Sequence, residues 1–451
     1  MTPLSMDGYK LLHDSALVFA DIEATGIRMD VKYLHEQDIA VGNDILGIER
    51  QLWKTSEAKE WKLRFKDKIK FSATAQLSEM LFKQWKYKPT KTTRKGRASV
   101  DDEVLRKINS PFTRLILQHR KLSTVRNTFL SGLLENQLNG FLHPSFNLHT
   151  VLSYRGSCHG PNFQNQPVRD PVQGEIVRKA FLPLIPEHQF GEIDYKGNEV
   201  VSNACYNHDP NLVAYIKDPT KDMHEDSAKN CFILQPKQIG EMIRYVGKNG
   251  FTFPEFYGSY FINIAPAMWW AITEHGLTTE DGIPLYLHLR NEGISNEEEF
   301  IDHIQQVEQH FWDERFPTFA KWKVKWYEAY QRKGYFDLLT GFRCQGPMRK
   351  NEVCNYPGQG TAFHFLLWGM VRLHEWLVNN EMKTQILGEI HDSIAISFHP
   401  DETMTVLRKA RKIMCEDIRK HWKWINVPMS IEAEVAPVGK SWQEKQPMEI
   451  S

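Results

Sequence analysis

Cysteine is scarce in this sequence, and no two cysteines have a metal-binding or redox spacing. The 451 residues contain six cysteines that lie far apart, with no Cys-x-x-Cys pair, which argues against a zinc site and a disulfide framework. No apolar run approaches the ~18 residues that span a bilayer, and the first residues lack the basic start and apolar core of an export signal. We therefore expect a cytoplasmic protein with no membrane partner.

The sequence also has no net charge, because 56 Lys and Arg residues balance 56 Asp and Glu residues. This neutrality is an average over two regions of opposite sign. Residues 83–97 hold seven basic side chains and no acid, whereas residues 280–314 hold ten acidic side chains against the single Arg290. Either run could be an ordinary solvated face. The basic run could also contact nucleic-acid phosphates, so overall neutrality does not exclude such a partner.

The length is about three times that of a usual domain, and the hydrophobic fraction of 41% is enough for sizeable cores. We expect one large enzyme with several lobes. Apolar residues recur at helical spacing from residue 31 to about 135 and again over residues 236–338. Between and after these segments the spacing falls towards two, which predicts strands. The predicted order is a helical arm, a sheet, a helical insertion and a second part of the sheet.

Two aspartates stand where predicted strands end. Asp194 follows the buried strand of "FGEIDYKG", and Asp392 lies in the turn of a hairpin predicted over "TQILGEIHDSIAISF". If both belong to one sheet, their carboxylates could converge and hold two magnesium ions ~3.5–4 Å apart, as phosphoryl transfer requires. An aspartate in a turn can equally cap its own backbone, so neither residue is decisive alone.

A basic and aromatic pattern lies between the two aspartates. Arg244 and Lys248 are four residues apart, so one helix face would present both to nucleotide phosphates. Phe253 and Tyr257 repeat this spacing as a platform on which a base could stack. A solvated basic face and ordinary core packing remain open for these pairs.

A proline marks a further predicted helix. Pro357 in "NYPGQGTAFHFLLWGM" predicts a helix start. The amides of Asn355 and Gln359 flank that start, where they could bond to base edges or sugars. They could equally be local caps.

The order of these motifs resembles that of family A DNA polymerases. "DYKGNE" resembles their first palm motif, Asp-Tyr-Ser-x-x-Glu, and "RYVGKNGFTFPEFYG" resembles their fingers helix. "NYPGQGTA" and "IHDS" resemble the motifs that follow, and the likeness extends through "PNFQNQPVR", "KDMHEDSA" and "EAEVAPVGKSW". It covers nearly the whole chain from about residue 15 and looks most like bacteriophage-type members. It implies an α+β fold with right-hand polymerase architecture, in which an antiparallel palm sheet carries a helical thumb and helical fingers.

The resemblance also implies a division into lobes. The implied boundaries are an N-terminal helix packed on the palm at 1–34, a thumb at 35–135, palm segments at 136–235 and 339–451, and fingers at 236–338 with an acidic insertion at about 264–300.

Carried over position by position, the resemblance implies a site for two Mg²⁺ ions, with Mn²⁺ as a possible substitute. Asp194, Asp392 and the backbone carbonyl of Tyr195 would hold them. Glu199 matches the steric gate that favours deoxynucleotides. The other positions implied to hold the incoming deoxynucleoside triphosphate are His224, Arg244, Lys248, Phe253 and Tyr257. The positions that resemble primer-template contacts are Arg155, Gln164, Asn165, Arg343, Asn355, Gln359 and His391.

These roles imply a template-directed DNA polymerase that adds deoxynucleotides to a primer 3′ end. We expect it to lack an intrinsic 3′-5′ exonuclease domain, to act in a bacterial or phage-infected cytoplasm, and to have a separate exonuclease, helicase or processivity factor as candidate partners. Two alternatives are a DEDD-type nuclease, suggested by "FADIEATG", and a catalytically inactive DNA-binding subunit. The sequence has no Tyr-x-x-x-Asp or His-x-x-x-x-Asp pattern to complete a nuclease site, and the full set of polymerase positions disfavours an inactive subunit.

The chain departs from the family in the fingers motif. The family usually places its tyrosine eight residues after the lysine, but Lys248 and Tyr257 are nine apart. At about 100° per residue the ninth step would turn Tyr257 to the opposite helix face. Pro254 predicts a kink or bulge that absorbs the extra residue. We assign stacking to Phe253 rather than Thr252, because only an aromatic ring can stack.

Two further departures concern the palm and the insertion. Ser393 stands where many members have a second carboxylate, so we assign it no metal role. The interval from Tyr257 to Pro317 is roughly twice the expected length and contains the acidic run. We interpret it as a fingers elaboration that docks a partner or discourages misplaced DNA.

Overall fold

The structure is a computed structural model that describes residues 3–93, 96–167, 171–274 and 276–450. Two residues of the basic run, Arg94 and Lys95, lie outside the described residues, as do Val168 and Arg169 of "PNFQNQPVR". The α-helices that it describes are α1 (Met6–Thr25), α2 (Val31–Leu52), α3 (Ser56–Phe65), α4 (Thr74–Glu79), α5 (Asp102–Ile108), α6 (Pro111–Thr124), α7 (Ser131–Asn136), α8 (Pro171–Arg178), α9 (Asn198–Asn207), α10 (Pro210–Lys217), α11 (Met223–Phe232), α12 (Glu241–Val246), α13 (Phe253–Phe256), α14 (Phe261–Glu274), α15 (Leu285–Asn291), α16 (Glu297–Gln309), α17 (Pro317–Lys333), α18 (Lys350–Asn379), α19 (Thr403–Arg411) and α20 (Ile418–His421). Within these ranges, no helix combines the length and the apolar character that crossing a bilayer requires.

The strands form one larger sheet and three two-stranded pairs among the described residues. They are β1 (Ile27–Arg28), β2 (Phe141–Leu142), β3 (Ser145–Asn147), β4 (Ser157–His159), β5 (Gln189–Tyr195), β6 (Tyr335–Asp337), β7 (Arg343–Gln345), β8 (Gln385–Ile390), β9 (Ser393–Phe398), β10 (Ile431–Val435) and β11 (Gln446–Met448). The larger sheet is antiparallel, with the order β11-β10-β5-β9-β8. The predicted buried strand is therefore the central strand β5, and the predicted hairpin is β8 and β9, so both predictions are confirmed.

α18 starts seven residues earlier than predicted, so the expected start at Pro357 is wrong. Arg349 is its N-cap residue, and Pro357 lies inside the helix. Proline has no N–H to donate, which leaves the carbonyl four residues earlier without its usual partner. That carbonyl belongs to Val353, and the indole N–H of Trp326 in α17 donates to it at 3.1 Å. The proline is tolerated because another helix supplies the missing hydrogen bond.

The position of Pro357 changes the interpretation of the two amides beside it. Asn355 and Gln359 do not flank a helix start but lie within α18. Because they are four residues apart, they share one face of the helix.

The nuclease-like segment forms the end of α1 and the turn after it. Ile22 and Ile27 are buried, as the polymerase interpretation predicts. The Glu23 carboxylate accepts a 2.6 Å hydrogen bond from the backbone N–H of Phe146, and the exposed Asp21 lies 3.6 Å from His374. The acids of this segment therefore join α1 to neighbouring parts of the fold.

Part of the predicted thumb has a hydrophobic core of its own. This cluster extends from Leu52 to Ile116 and includes the fully buried Trp61 and Phe112, apart from the main core. The helical prediction for residues 31–135 holds for α2 to α7 but not between Trp85 and Asp101, where the described residues form no helix. Much of the basic run is therefore irregular backbone.

Candidate active site

The two predicted catalytic aspartates meet at one end of the central strands. The antiparallel register of β5 and β9 places Asp194 opposite Ser393, the residue after Asp392. The backbone N–H of Tyr195 donates to the carbonyl of Asp392 at 3.4 Å. Residues almost 200 positions apart are thus neighbours, because the hairpin turn of β8 and β9 lies beside the end of β5.

The surroundings of these carboxylates disfavour their charged forms. Burial, followed by the negative charges of Asp392 and Glu432, raises the pKa of Asp194 to about 7. Burial also raises the pKa of Asp392, although the positive charges of Arg155 and Lys248 oppose this shift. Oδ1 of Asp194 is buried and has no hydrogen-bond partner among the described residues. Such a pair is costly unless cations balance it.

These residues fit divalent metal ions. Carboxylate oxygens are the ligands that Mg²⁺ and Mn²⁺ prefer, and Oδ1 of Asp194 is free to bind one. Within the described ranges, no group of three or more His, Cys, Asp or Glu side chains could hold a metal. The aspartate pair would therefore need further oxygens from the backbone and from a substrate. The Tyr195 side chain is not one of them, because its hydroxyl donates to the carbonyl of Met414 at 3.0 Å.

A hydrogen bond joins the palm candidate Glu199 to the fingers candidate Tyr257. The Tyr257 hydroxyl donates to the Glu199 carboxylate at 2.7 Å, and its ring stacks on Phe253 with centroids 5.9 Å apart. Burial raises the pKa of Glu199, while the bond from Tyr257 lowers it. The side-chain amide of Asn355 in α18 donates to the carbonyl of Tyr257 at 2.6 Å. Three segments of the chain therefore fix the position of Tyr257.

The extra residue of the fingers motif lies in a wide helical turn. Between α12 and α13, residues Gly247–Thr252 form a π-helical turn, which accommodates one more residue than an α-helical turn. The predicted bulge therefore exists, and it directly precedes α13, in which Pro254 occupies the first turn.

This wide turn decides which side chain faces the aromatic site. Thr252 is fully buried, and its hydroxyl donates to the hydroxyl of Ser227 at 2.8 Å. The ring of Phe253 is only partly buried and lies 5.1 Å from the ammonium of Lys248. Phe253, rather than Thr252, therefore groups with Lys248 and Tyr257.

The two remaining nucleotide-binding candidates lie beside the fingers helix. The His224 ring is 5.7 Å from Phe253. Burial, then the charges of Lys248 and Arg244, lower its pKa to about 4, so the ring is neutral at pH 7. Arg244 makes a two-pronged contact with Asp222, at 2.8 and 2.7 Å. In this structure the guanidinium is held by that carboxylate.

The candidate primer-template residues divide into two groups, of which the first surrounds the aspartates. Arg155 lies close enough to Asp392 to lower its pKa. The buried amide of Gln164 donates to Glu389 at 2.6 Å, three residues before Asp392. His391 is exposed, with a positive φ of 60°, and the side chain of Asn165 is exposed as well.

Of the three remaining candidates, two lie beside Tyr257. Asn355 and Gln359 line a cavity of about 710 Å³ together with Tyr257. Arg343 is not part of this cavity lining, and its guanidinium binds both oxygens of Asp337 at 2.8 and 3.0 Å.

Sequence reasoning missed a carboxylate behind the aspartates. The Ser393 hydroxyl contacts Glu192 at 2.6 Å and the carbonyl of Ile390 at 3.1 Å. Glu192 also accepts hydrogen bonds from Trp442 and Lys445. The sequence did contain a signal for this role: Glu192 lies two residues before Asp194 and therefore on the same face of β5. Ser393 thus ties the turn that carries Asp392 to the central strand.

Comparisons with known proteins identify the family of this chain. The family described as DNA polymerase family A matches residues 32–444. DNA polymerase I of Chloroflexus aurantiacus is 26% identical over 449 residues, which cover 96% of this chain and 42% of the relative. A thermostable DNA polymerase I of Thermus thermophilus is 26% identical over 441 residues, 94% of this chain and 46% of the relative. The DNA polymerase of Bacillus phage SP01 is 25% identical over 400 residues, 82% and 40% respectively.

The fold is similar to that of a solved polymerase domain. The POL domain of Pol1 from M. smegmatis, in complex with DNA primer-template and dNTP, superimposes with a TM-score of 0.76 at 20% identity, covering 96% of this chain and 70% of that chain. This similarity confirms the predicted α+β polymerase architecture. The chain spans less than half the length of the curated relatives described above. Because the family match extends over most of the sequence, the chain belongs to DNA polymerase family A.

Proposed function

We propose that this protein is a DNA-directed DNA polymerase that extends a primer 3′ end with deoxynucleotides by two-metal phosphoryl transfer. The observation that carries the proposal is the convergence of Asp194 and Asp392 beside Lys248. A pair of half-buried carboxylates near a cation and a stacked aromatic pair is suited to a nucleoside triphosphate and its metal ions.

In this proposal each side chain has a distinct task. Asp194 and Asp392, with the carbonyl of Tyr195, hold two Mg²⁺ ions, for which Mn²⁺ can substitute. When bound, the ions activate the primer hydroxyl and stabilise the leaving pyrophosphate. Lys248 neutralises charge on the triphosphate. Neutral His224 can offer a ring N–H to a phosphate oxygen without adding a full charge.

The remaining candidates select and position the substrates. Glu199, held by Tyr257, occupies the space that a ribose 2′-hydroxyl would need, and Phe253 packs against the nucleotide. The Arg244 guanidinium can bind the triphosphate only if it gives up at least one of its two contacts with Asp222. The contacts proposed for primer-template DNA are Arg155, Gln164, Asn165, Arg343, Asn355, Gln359 and His391.

We assign the lobes with the boundaries given above, so that the thumb at 35–135 grips duplex phosphates through its basic run without reading sequence. Primer-template DNA and deoxynucleoside triphosphates are the proposed partners, in line with what the mycobacterial domain binds. The helper proteins and the cytoplasmic location remain predictions.

A primer-extension assay tests the function. Wild-type protein with Mg²⁺ should add only the deoxynucleotide complementary to the next template base. A primer with a mismatched 3′ end tests the expectation that this chain does not proofread, because its removal would show nuclease activity. Degradation of the primer without any extension would contradict the polymerase and favour the nuclease.

Glu199→Ala should lower discrimination against ribonucleotides. The shorter side chain leaves room for a 2′-hydroxyl, so the ratio of kcat/KM for deoxy- over ribonucleotides should fall by about 10- to 100-fold. Single-nucleotide incorporation kinetics measure this ratio. Tyr257→Phe keeps the ring but removes its bond to Glu199, and should lower the ratio less. An unchanged ratio in Glu199→Ala would rule out the gate.

Ser393→Ala should slow catalysis without weakening nucleotide binding. Losing the hydroxyl frees the turn that carries Asp392, and one such hydrogen bond corresponds to about a 3- to 10-fold lower kcat. Glu192→Ala should lower kcat at least as much, because it removes the same link and also leaves the buried Trp442 indole N–H without its acceptor, while Lys445 keeps its 2.8 Å contact with Glu434. The double variant should be no slower than the slower single variant, because both remove the same link. Fully additive losses would show that the link does not position the turn.

A further inference from the structure

The long interval after Tyr257 folds into helices that return to the fingers helix. It contains α14, α15 and α16, and it ends in a π-helical turn, His310–Arg315. In that turn, the Phe311 ring packs edge-on against Phe251 and Phe256, with centroids 5.5 and 6.1 Å away. The end of this interval therefore supports the fingers helix.

Three side chains, from α16, this π-helical turn and α17, make hydrogen bonds to residues just before and just after Tyr257 in the chain. Before it, the Trp312 indole donates to the Glu255 carboxylate at 2.6 Å, and the Lys323 ammonium donates to the carbonyl of Glu255 at 2.9 Å. After it, the Glu308 carboxylate accepts the backbone N–H of Phe261 at 2.5 Å. We call Glu308, Trp312 and Lys323 the fingers brace.

Charged and polar groups within the brace favour a single arrangement of its side chains. The Lys323 ammonium lies 3.6 Å from the centre of the Trp312 ring, a strong cation–π position. Glu255 is only 1% exposed, and its Oε1 has no partner among the described residues. Burial raises the pKa of Glu255 and lowers that of Lys323. A buried carboxyl with one side-chain donor cannot reorient cheaply, so Trp312 fixes the last turn of the fingers helix.

We propose that the fingers brace positions Tyr257 for nucleotide selection, and so gives the end of this interval and the first half of α17 a role in the active site. The Tyr257 ring is then presented to Phe253 and Glu199 at the geometry described above. The inference rests on the proposed polymerase function. Glu308, Trp312 and Lys323 are positioning residues, because they act through the backbone on either side of Tyr257.

Two variants with matched controls test the brace. Trp312→Phe removes the indole N–H together with one of the two fused rings, and its control is the same change in the thumb, Trp53→Phe. Lys323→Met removes the ammonium, and its control is Lys325→Met, an exposed lysine of the same helix. Both brace variants should raise KM for the correct deoxynucleotide by about 3- to 10-fold with kcat within about 2-fold, and should lower selectivity against the incorrect one. The controls should match wild type.

Hydrogen exchange of residues 253–262 gives a readout that does not need activity. It should become faster in both brace variants and stay unchanged in both controls. If Trp312→Phe fails to fold, Glu255→Ala replaces it, and Glu255→Gln should restore most of the loss because its amide oxygen can still accept from Trp312. If the brace variants keep the wild-type hydrogen-exchange rate and the wild-type KM, the proposal that the brace positions Tyr257 is wrong. A wild-type protein that extends no primer would instead overturn the proposed function.

Discussion

Asp194→Ala and Asp392→Ala should each abolish primer extension, with incorporation falling by at least about 10³-fold at saturating nucleotide and Mg²⁺. Each change removes one of the two carboxylates that converge at the end of β5, and the described residues offer no third side chain to replace it. The measurement is single-turnover incorporation with radiolabelled or fluorescent primer. Retained extension in either variant would overturn the assignment of the metal site.

Stability measurements separate this loss from unfolding. Asp194→Asn keeps the size of the side chain but removes one of two half-buried negative charges that repel each other. In metal-free buffer its Tm should therefore equal or exceed that of wild type, by up to a few degrees. Binding of primer-template DNA should persist, because the substitution changes none of the residues proposed to contact it. A variant that loses both activity and DNA binding while its Tm falls would indicate a structural role instead.

Lys248→Gln should lower kcat/KM for nucleotide incorporation by about 10²- to 10³-fold, comparable to the loss of one charge-stabilising group in other transition states. The ammonium lies 5.1 Å from the Phe253 ring and acts on the charges of both Asp194 and Asp392. It is therefore near both the aromatic pair and the carboxylates, and we propose that it contacts the triphosphate there. Steady-state kinetics at varied nucleotide concentration provide the measurement.

A matched lysine shows whether the effect is local. Lys229→Gln makes the same charge change on the exposed face of α11 and should leave kcat/KM within about 2-fold of wild type, as surface substitutions usually do. An equal loss in both variants would mean that general attraction of DNA, rather than contact with the triphosphate, explains the role of Lys248. That outcome would also show a strong dependence on salt.

Much of the candidate site could be predicted from short stretches of sequence, because residue spacing within a single helix, strand or turn determines where those side chains lie. A separation of nine positions between Lys248 and Tyr257 does not fit an α-helix that presents both on one face, and the structure accommodates it with a wide turn at Gly247–Thr252. The strand ending at Asp194 and the turn at Asp392 follow in the same way from alternating burial and turn chemistry.

Contacts between distant segments could not be predicted. The start of α18 was misplaced because the cost of Pro357 is offset by Trp326, a residue of another helix. Glu192 escaped notice because its partner Ser393 is 201 positions away. The brace on Glu255 depends on Trp312 and Lys323, which no local pattern connects to the fingers helix.

The sequence by itself determined the family of this protein, the order of its motifs and the chemical identity of its candidate site. These depend on residue type and on spacing within single helices, strands and turns. Only the tertiary structure decided which carboxylates meet, which amides share a face of α18 and which residues support the fingers helix. The physical reason is that hydrogen bonds and buried charges are completed by whichever partner the fold brings within about 3 Å, and that partner can lie anywhere in the chain.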